Sequence, residues 1–578
     1  MIRNYLKTAW RNIRKNKLFS FINILGLAIG IATCFIILLY VQDELSFDRF
    51  NKKADRIARV VFKASINGGK INESVSMAPV AATMKKDFPQ VQDATRIFSF
   101  GSTKITYADK SFKDDRFAFV DPNFFTIFTL PMINGDPATA LAQPNTVVIT
   151  KSTAKKYFGN DEAVGKTITL SAQNKQPYKI TGVINDIPAN SHFHFDMFGS
   201  MTGWANAKSD SWMGGSFHTY LLLQPGTNLE KLEAGFPAMV KTYMGPQIQQ
   251  AMGLSLEQFI SKGNTLGFSL QPLTDIHLHS DTTNEFEPGG NASYVYIFAG
   301  VALFMLIVAC INFINLSTAG ASKRAKEVGI RKVAGSARSQ LIRQFLAESV
   351  LITSIAMLIA FALVQLGLPV FNTIAGKHLG FDTKPIIALI GLGLMVGAIA
   401  GIYPAFYLSS FKPIAVLKGK LAVNNRSFGL RGGLVVFQFF ISVSLLIGTI
   451  VVYQQMKFMQ AKDLGFNKDQ LLTIPNSYVL GNNEKVYEQE LLQDPRVVNA
   501  TMSWYKPVGP TAYNNAFAYP EGNENLVVGG VDFHVDERYI PTMDMKMVSG
   551  RNFSTDFGTD TTAVILNQSA ASALGWND

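Results

Sequence analysis

The chain reads as an α-helical transmembrane protein of five spans carrying large α+β extracytoplasmic domains. Three observations predict this. Stretches 18–42, 289–321, 343–371, 385–411 and 432–456 are almost uncharged, and each is long enough for the ~20 residues that a bilayer requires. The intervening region 43–288 and the closing region 457–578 have mixed, soluble-type sequences, and the mean hydropathy of +0.15 is that of a chain partly in lipid and partly in water. Finally, the lysines and arginines behind the net charge of +11 gather beside the apolar runs. That pattern signals membrane topology and argues against nucleic-acid binding.

Residues 1–17 place Ile2, Leu6, Ala9, Trp10 and Ile13 on one helical face and Arg3, Lys7, Arg11 and Arg14 on another. The spacing predicts an amphipathic basic helix lying on membrane lipid at the inner surface. Run 18–42 is too long for a signal-peptide core and no A-x-A site follows it, so an uncleaved first span is expected. Cys34 and Cys310 both lie in apolar runs, which leaves the soluble parts without a disulfide framework.

Region 43–288 alternates β-rich pieces (Ala58–Ala64, Thr146–Thr150, Thr167–Leu170, Tyr178–Val183, His218–Leu223) with helical pieces (Met77–Asp87, Ser152–Phe158, Leu229–Met244). Turn signals at Asn67-Gly68-Gly69, Asn134-Gly135-Asp136-Pro137 and Ile187-Pro188 separate them. An α+β domain with room for two lobes follows. In span 289–321, Asn312 and Asn315 are expected to face other helices, not lipid. Glu348, near the inner end of span 343–371, is expected to pair with Arg343 or another neighbouring base. Residues 372–384 form a short outer loop. Linker 412–431 is basic and acid-free, with Lys412, Lys418, Lys420, Arg426 and Arg431. The basic N-terminus and linkers 322–342 and 412–431 read as cytoplasmic, which puts both soluble regions outside.

The stretch Ala321–Glu348, ASKRAKEVGIRKVAGSARSQLIRQFLAE, has structure of its own. Lys323, Glu327 and Arg331 recur every fourth residue, so they share a helical face and can pair. Ala334-Gly335-Ser336 then ends the helix, with Gly335 at C′ and Ser336 as N-cap of the next helix. A simple charge anchor needs no helix–turn–helix.

The chain also compares with itself. DPNFFTIFTLPMINGDP (121–137) and VVITKSTAKKYFGNDEAVGKTITL (147–170) match DERYIPTMDMKMVSGRN (536–552) and AVILNQSAASALGWND (563–578). Gly135 aligns with Gly550, Ala154 with Ala570 and Gly159 with Gly575. A second copy of span plus domain is expected to start here and to continue beyond Asp578 with three more spans.

Catalytic constellations are not evident. Gly165-Lys166-Thr167 lacks the spacing of a phosphate loop, because Asn160 stands where the first glycine belongs. His192-x-His194 and His277-x-His279 each offer two imidazoles on a strand face, without a third ligand at diagnostic spacing. Structural histidines are expected at both places.

The segment ACINFINLSTAGASKRAKEVGIRKVAGSARSQLIRQFLAES (309–349), with FFTIFTLPMINGDP and VVITKSTAKKYFGNDEAVGKTI, resembles the MacB/FtsX-like permease subunits of ABC transporters. The resemblance is to the long eight-span form in particular, and it implies that the sequence is truncated in a second periplasmic domain. The resemblance runs from the basic N-terminal helix to Asp578. It implies a multi-pass protein of the bacterial inner membrane with 43–288 as a MacB-like periplasmic core domain. It implies that Lys323, Arg324, Lys326, Glu327, Val328, Ile330, Arg331, Lys332 and Val333 form the coupling helix of a separate cytoplasmic ABC ATPase, itself a dimer. The bases would pair with acids of that partner, and Val328, Ile330 and Val333 would fill its groove. ATP would bind to the partner, and this chain would hold no cofactor, metal or catalytic residue of its own. ATPase closure would move the periplasmic domains, a mechanotransmission that exports or extracts a periplasmic cargo, with a periplasmic adaptor or hydrolase as further partner. FtsX-type relatives imply the alternative of a regulatory protein that controls a cell-wall hydrolase or senses peptides. Assembly would be a pseudo-dimer from the internal repeat or a homodimer.

Overall fold

Strand alternation builds one sheet from region 57–272. The computed structural model describes residues 2–66, 69–170, 176–319, 321–380, 383–411, 425–475, 477–504, 515–518 and 528–576. Its strands are β1 (Ile57–Ile66), β2 (Gly69–Glu73), β3 (Ser76–Met77), β4 (Val91–Tyr107), β5 (Lys110–Val120) and β6 (Met132–Asn134), then β7 (Thr146–Thr150), β8 (Thr167–Leu170), β9 (Gln176–Ile184), β10 (Met197–Ser200), β11 (Gly215–Leu223) and β12 (Thr265–Pro272). They pair in the order β12-β1-β11-β4-β5-β10-β7-β9-β6, with β2 beside β1, β3 beside β11, and β8 beside β4 and β9. The β5–β10 and β7–β9 pairs are parallel, so the sheet is mixed.

Successive strand residues point to opposite faces. Ala118, Val120, Val148, Tyr220 and Leu222 therefore meet on one face, around the phenylalanines of α4 (Phe124–Ile127), Phe193 and Phe198. Their neighbours Phe117, Phe119, Val147 and Ile149 pack on the other face with α5 (Lys151–Phe158). Leu221, Leu223, Ala58 and Val60 meet α3 (Val80–Asp87), α6 (Leu229–Glu233), α7 (Phe236–Tyr243), α8 (Gly245–Met252) and α9 (Leu256–Ser261). In place of two lobes there are three clusters on one continuous sheet.

Several local expectations need correction. The helix expected over Met77–Asp87 starts only at Val80, because Ser76–Met77 pairs with β11. Leu229–Met244 is broken between Glu233 and Phe236, since Pro237 starts a new helix where a missing N–H costs nothing, and Pro246 does the same for α8 just beyond it. The Asn67-Gly68 part of the first turn lies outside the described residues. At the second turn, Gly135 has φ +102, and a Cβ there would stand 2.6 Å from the Thr181 carbonyl oxygen.

Behind β1 lies a buried polar relay. Asp48 Oδ1 meets His192 Nδ1 at 2.8 Å, and His192 Nε2 is 2.7 Å from the Tyr220 hydroxyl. Fully buried Arg59 donates to Glu285 Oε1 at 2.7 Å, Gln271 Oε1 at 2.7 Å and Ser280 Oγ at 3.0 Å. His218 touches Ser74 Oγ and the Asn284 carbonyl and lies against Phe286. Burial, helped by the Arg59 cation, pushes His218 down to about 3, with Glu285 and His192 as its other titratable neighbours. A depressed histidine contributes stability above its unfolded value of about 6.5 and loses it as pH falls toward the folded value. Acidification from pH 7 to 5 should therefore cost about 2 kcal/mol through this group. His194 works the other way: burial lowers it, but Glu287 outweighs that and holds it raised, so its contribution is present below about pH 6.5 and fades as pH rises. Thermal unfolding followed by tryptophan fluorescence at the two pH values checks the sign, and His218→Gln should flatten the dependence.

Among the described residues, five helices are long and apolar enough to cross a membrane. They are α2 (Lys17–Leu45), α11 (Ala292–Ala319), α13 (Arg338–Ala375), α14 (Thr383–Ser409) and α15 (Asn425–Ala461), the last apolar from Gly432. The short α10 (Ile276–His279) precedes α11, and α12 (Ala321–Val333) follows it. Small residues allow close approach where lipid supplies no hydrophobic drive. A Cβ on Gly30 of α2 would lie 2.6 Å from Ala309 Cβ of α11. On α14, Gly393, Gly397 and Gly401 face Met357, Thr353 and Ser349 of α13, where added Cβ atoms would fall 2.6, 3.1 and 2.7 Å away. Among the described residues of α15, Ile441 is the one buried apolar side chain.

Region 457–578 carries α16 (Glu484–Leu492), α17 (Tyr539–Thr542), α18 (Gln568–Ala573) and the paired strands β13 (Asn515–Ala518) and β14 (Val528–Val531). Its described residues do not reproduce the 12-stranded sheet. Local geometry does recur. Asp121 Oδ2 accepts from the Arg96 N–H, as Asp536 Oδ2 does from the Met502 N–H. Gly135 and Gly550, like Gly159 and Gly575, have positive φ.

Candidate functional site

The basic stretch folds as read, with one exception at its turn. Helix α12 ends at Val333, and Gly335 takes φ +90. Gly335 N–H donates to the Lys332 carbonyl at 3.1 Å and Ser336 N–H to that of Arg331 at 3.0 Å, the two bonds of a Schellman ending. The next N-cap is Ala337, not Ser336, and Gln340 accepts from its N–H at 3.2 Å.

Of the described bases of α12, Arg324, Arg331 and Lys332 all turn inward. Arg324 grips Glu348 of α13 through both carboxylate oxygens, at 2.6 and 3.1 Å. Asn12 of α1 (Ile2–Lys15) donates to the same carboxylate at 2.9 Å. The partner of Glu348 is therefore Arg324, while Arg343 is exposed. Arg331 pairs with Glu327 at 2.9 Å, one turn away as anticipated, and also reaches Gln344 of α13. Lys332 Nζ donates to the carbonyls of Ser409 and Phe411 at 2.7 and 2.9 Å. Ser409 ends α14 and Phe411 lies two residues beyond it, a place where unsatisfied acceptors and the helix dipole favour a cation. The site thus joins α1, α12, α13 and α14 at one end of the bundle, with Glu348 at its centre.

The expectation that Val328, Ile330 and Val333 together fill a partner's groove needs correction. Val328 is 1% exposed and packs with Leu341, Phe345, Ala405 and Leu408 inside the chain. Ile330 and Val333 are 54% and 65% exposed. The side chains of Lys323 and Lys326, and the linker bases Lys412, Lys418, Lys420, Arg426 and Arg431, lie outside the described residues. Asn315 is buried, and Asn312 is half-buried against α2, where a Cβ on Gly26 would come within 3.1 Å of its Nδ2.

The histidine pairs part company. His192 belongs to the buried relay, and His194 binds Glu287. His277 lies on a helix, not a strand, and meets Glu44. Among the described residues no group of three or more His, Cys, Asp or Glu is placed to hold a metal ion. Gly165-Lys166-Thr167 is the turn into β8, with Gly165 at φ +89 and Lys166 on Asp161. Sequence reading missed the Glu44, His277 and Lys377 contact, whose members lie hundreds of residues apart. It also missed the four-residue spacing of Gly393, Gly397 and Gly401, a signal legible in the sequence.

Comparison with known proteins places these features. Residues 20–238 match the MacB-like periplasmic core domain, and residues 299–413 match the FtsX-like permease C-terminal domain. YvrN, an ABC transporter permease of Bacillus subtilis, is 23% identical over 437 residues, which cover 72% of this chain and 99% of YvrN. The macrolide export ATP-binding/permease protein MacB of Bdellovibrio bacteriovorus is 22% identical over 439 residues, covering 72% of this chain and 61% of that protein. MacB of Mannheimia succiniciproducens is 21% identical over 325 residues, covering 55% and 46%. The chain therefore spans nearly all of YvrN but about half to three fifths of these MacB proteins. The periplasmic region of MacB from Actinobacillus actinomycetemcomitans aligns at 17% identity over 39% of this chain and 91% of that one, with a TM-score of 0.25.

Proposed function

From the premise that the chain belongs to the MacB/FtsX-like ABC transporter permeases, we propose that it couples ATP hydrolysis in a separate cytoplasmic ATPase to movement of its mixed-sheet domain in the periplasm. One observation carries this reading. Helix α12 is bonded to α13 and α14, and shares the Glu348 carboxylate with α1, while it leaves Ile330 and Val333 bare, so it is held by the bundle and open to a partner. In this reading α12 is the coupling helix. Its inward bases transmit force into the spans, and its exposed apolar residues and Glu327 meet the ATPase. The domain then moves between two arrangements, expelling or pulling a periplasmic cargo. The recurring Asp121/Asp536 and glycine geometries favour a second copy of span plus domain starting at α15.

Purification from native membranes in mild detergent should bring down an ABC ATPase; a preparation free of one rejects the function. Ile330→Glu with Val333→Glu should abolish co-purification and leave thermal stability unchanged. Val328→Ala should do the reverse, retaining the partner while costing about 2 kcal/mol of stability. Charge reversal of Arg331 and Lys332 should now loosen α12 from α13 and α14 as well as uncouple transport, because both side chains are engaged within the chain.

A further inference from the structure

At the other end of α13 lies a second contact between elements that are remote in sequence. Glu44, in the last turn of α2, is buried. Its Oε2 accepts from His277 Nε2 of α10 at 2.9 Å, and its Oε1 meets Lys377 Nζ, just past α13, at 2.6 Å. Lys377 also reaches Asp43 Oδ2 at 2.9 Å and lies 4.9 Å from the centre of the Phe47 ring. The His277 imidazole stacks on that same ring, with centroids 3.4 Å apart and planes within 3°. Gly290, shortly before α11, passes directly over the bond: a Cβ there would stand 2.5 Å from Glu44 Oε2 and 2.8 Å from His277 Nε2. The end of α2, the approach to α11, the loop after α13 and the mixed-sheet domain therefore converge on one carboxylate.

Two acids at a helix C-terminus face an unfavourable dipole, and burial makes an uncompensated carboxylate costly. Here the counterion comes from the α13 side and the hydrogen-bond donor from the domain. Separating the domain or the loop after α13 from α2 takes one of Glu44's two partners away, so the cluster ties these elements together. Helix α13 carries this contact at one end and the Arg324–Glu348 grip near the other. At 1.5 Å per residue its 38 residues extend for roughly 57 Å.

We propose that Glu44, His277 and Lys377 form the outer transmission contact of the molecule, and that α13 is the strut delivering coupling-helix movement to it; this rests on the coupling function proposed above. The domain is then driven through the third span as well as through the two spans that connect to it directly. Glu44, His277 and Lys377 act as positioning residues, and Gly290 is small so that their bond can close.

Hydrogen exchange tests this on the full chain with its co-purified ATPase, in phosphatidylethanolamine/phosphatidylglycerol nanodiscs, with and without ATP and vanadate. In the wild type, peptides covering 276–290 should change exchange when nucleotide is trapped. Lys377→Met and Gly290→Ala should lose that response at least about fivefold while ATP hydrolysis continues, and Lys377→Arg should restore it. Glu44→Gln, which keeps an acceptor for His277 and weakens the hold on Lys377, is the second variant should Lys377→Met not fold, and it should lose the response likewise. Wild-type responses in the folded variants overturn the strut and leave the coupling function standing. No response in the wild type overturns the coupling function itself.

Discussion

Replacing Arg59 by methionine is expected to destabilise the mixed-sheet domain by about 3–5 kcal/mol, the range for removing one partner of a buried ion pair. Arg59 is fully buried on β1 and binds Glu285, Gln271 and Ser280. Burial alone would raise the Glu285 carboxyl, but the Arg59 hydrogen bonds outweigh it and hold it below its usual value. Without Arg59 that carboxylate must protonate or draw in water, and residues 280–285 lose their anchor to the sheet. Those residues lead into α11, so the loss should also free the approach to that helix. Urea unfolding of the variant, read by tryptophan fluorescence, checks the magnitude. The double variant Arg59→Met with Glu285→Gln should recover part of the loss, because its second change removes the orphaned charge. A single variant within about 1 kcal/mol of wild type would mean that the relay is solvated.

The second large effect is expected at Glu348. Its carboxylate holds Arg324 of α12 and Asn12 of α1, and its side chain is 8% exposed. Glu348→Ala leaves the Arg324 guanidinium without a counterion, again at about 3–5 kcal/mol. The cost falls on the docking of α12 rather than on the whole bundle, since Val328 and Lys332 still hold the helix from other sides. Amide protection of α12 should drop on the order of a hundredfold, and the response of the mixed-sheet domain to trapped nucleotide should vanish. Glu348→Gln keeps acceptor capacity for Asn12 but loses the charge, so it should lie between. Unchanged protection in Glu348→Ala would assign the hold on α12 to Arg331 and Lys332.

Much of this protein was legible before any fold was known. Five apolar runs stand out because a bilayer fixes the length of anything that spans it. The helix–turn–helix of Ala321–Glu348 was readable because Gly335 is a local event: only the residues around it decide that a left-handed position ends the helix. Strands such as Thr146–Thr150 and Thr167–Leu170 fell where alternation and β-branched residues put them. The break in Leu229–Met244 was equally local but went unread, although Pro237 marked it.

Partners across long separations were another matter. Sequence led to the expectation that Glu348 pairs with a cation, because a carboxylate in a span is costly alone. It could not choose Arg324 over Arg343, since that choice depends on how α12 folds back against α13. Nor could periodicity tell Val328, which packs inside the chain, from Ile330 and Val333, which do not. The contact of Glu44 with His277 and Lys377 had no signature at all, its members being 233 and 333 positions apart. Sequence by itself determined the elements, because propensity, capping and hydrophobic length act within a few residues. The tertiary structure decided which charges meet, because a buried ion pair is set by where whole helices and a sheet come to rest.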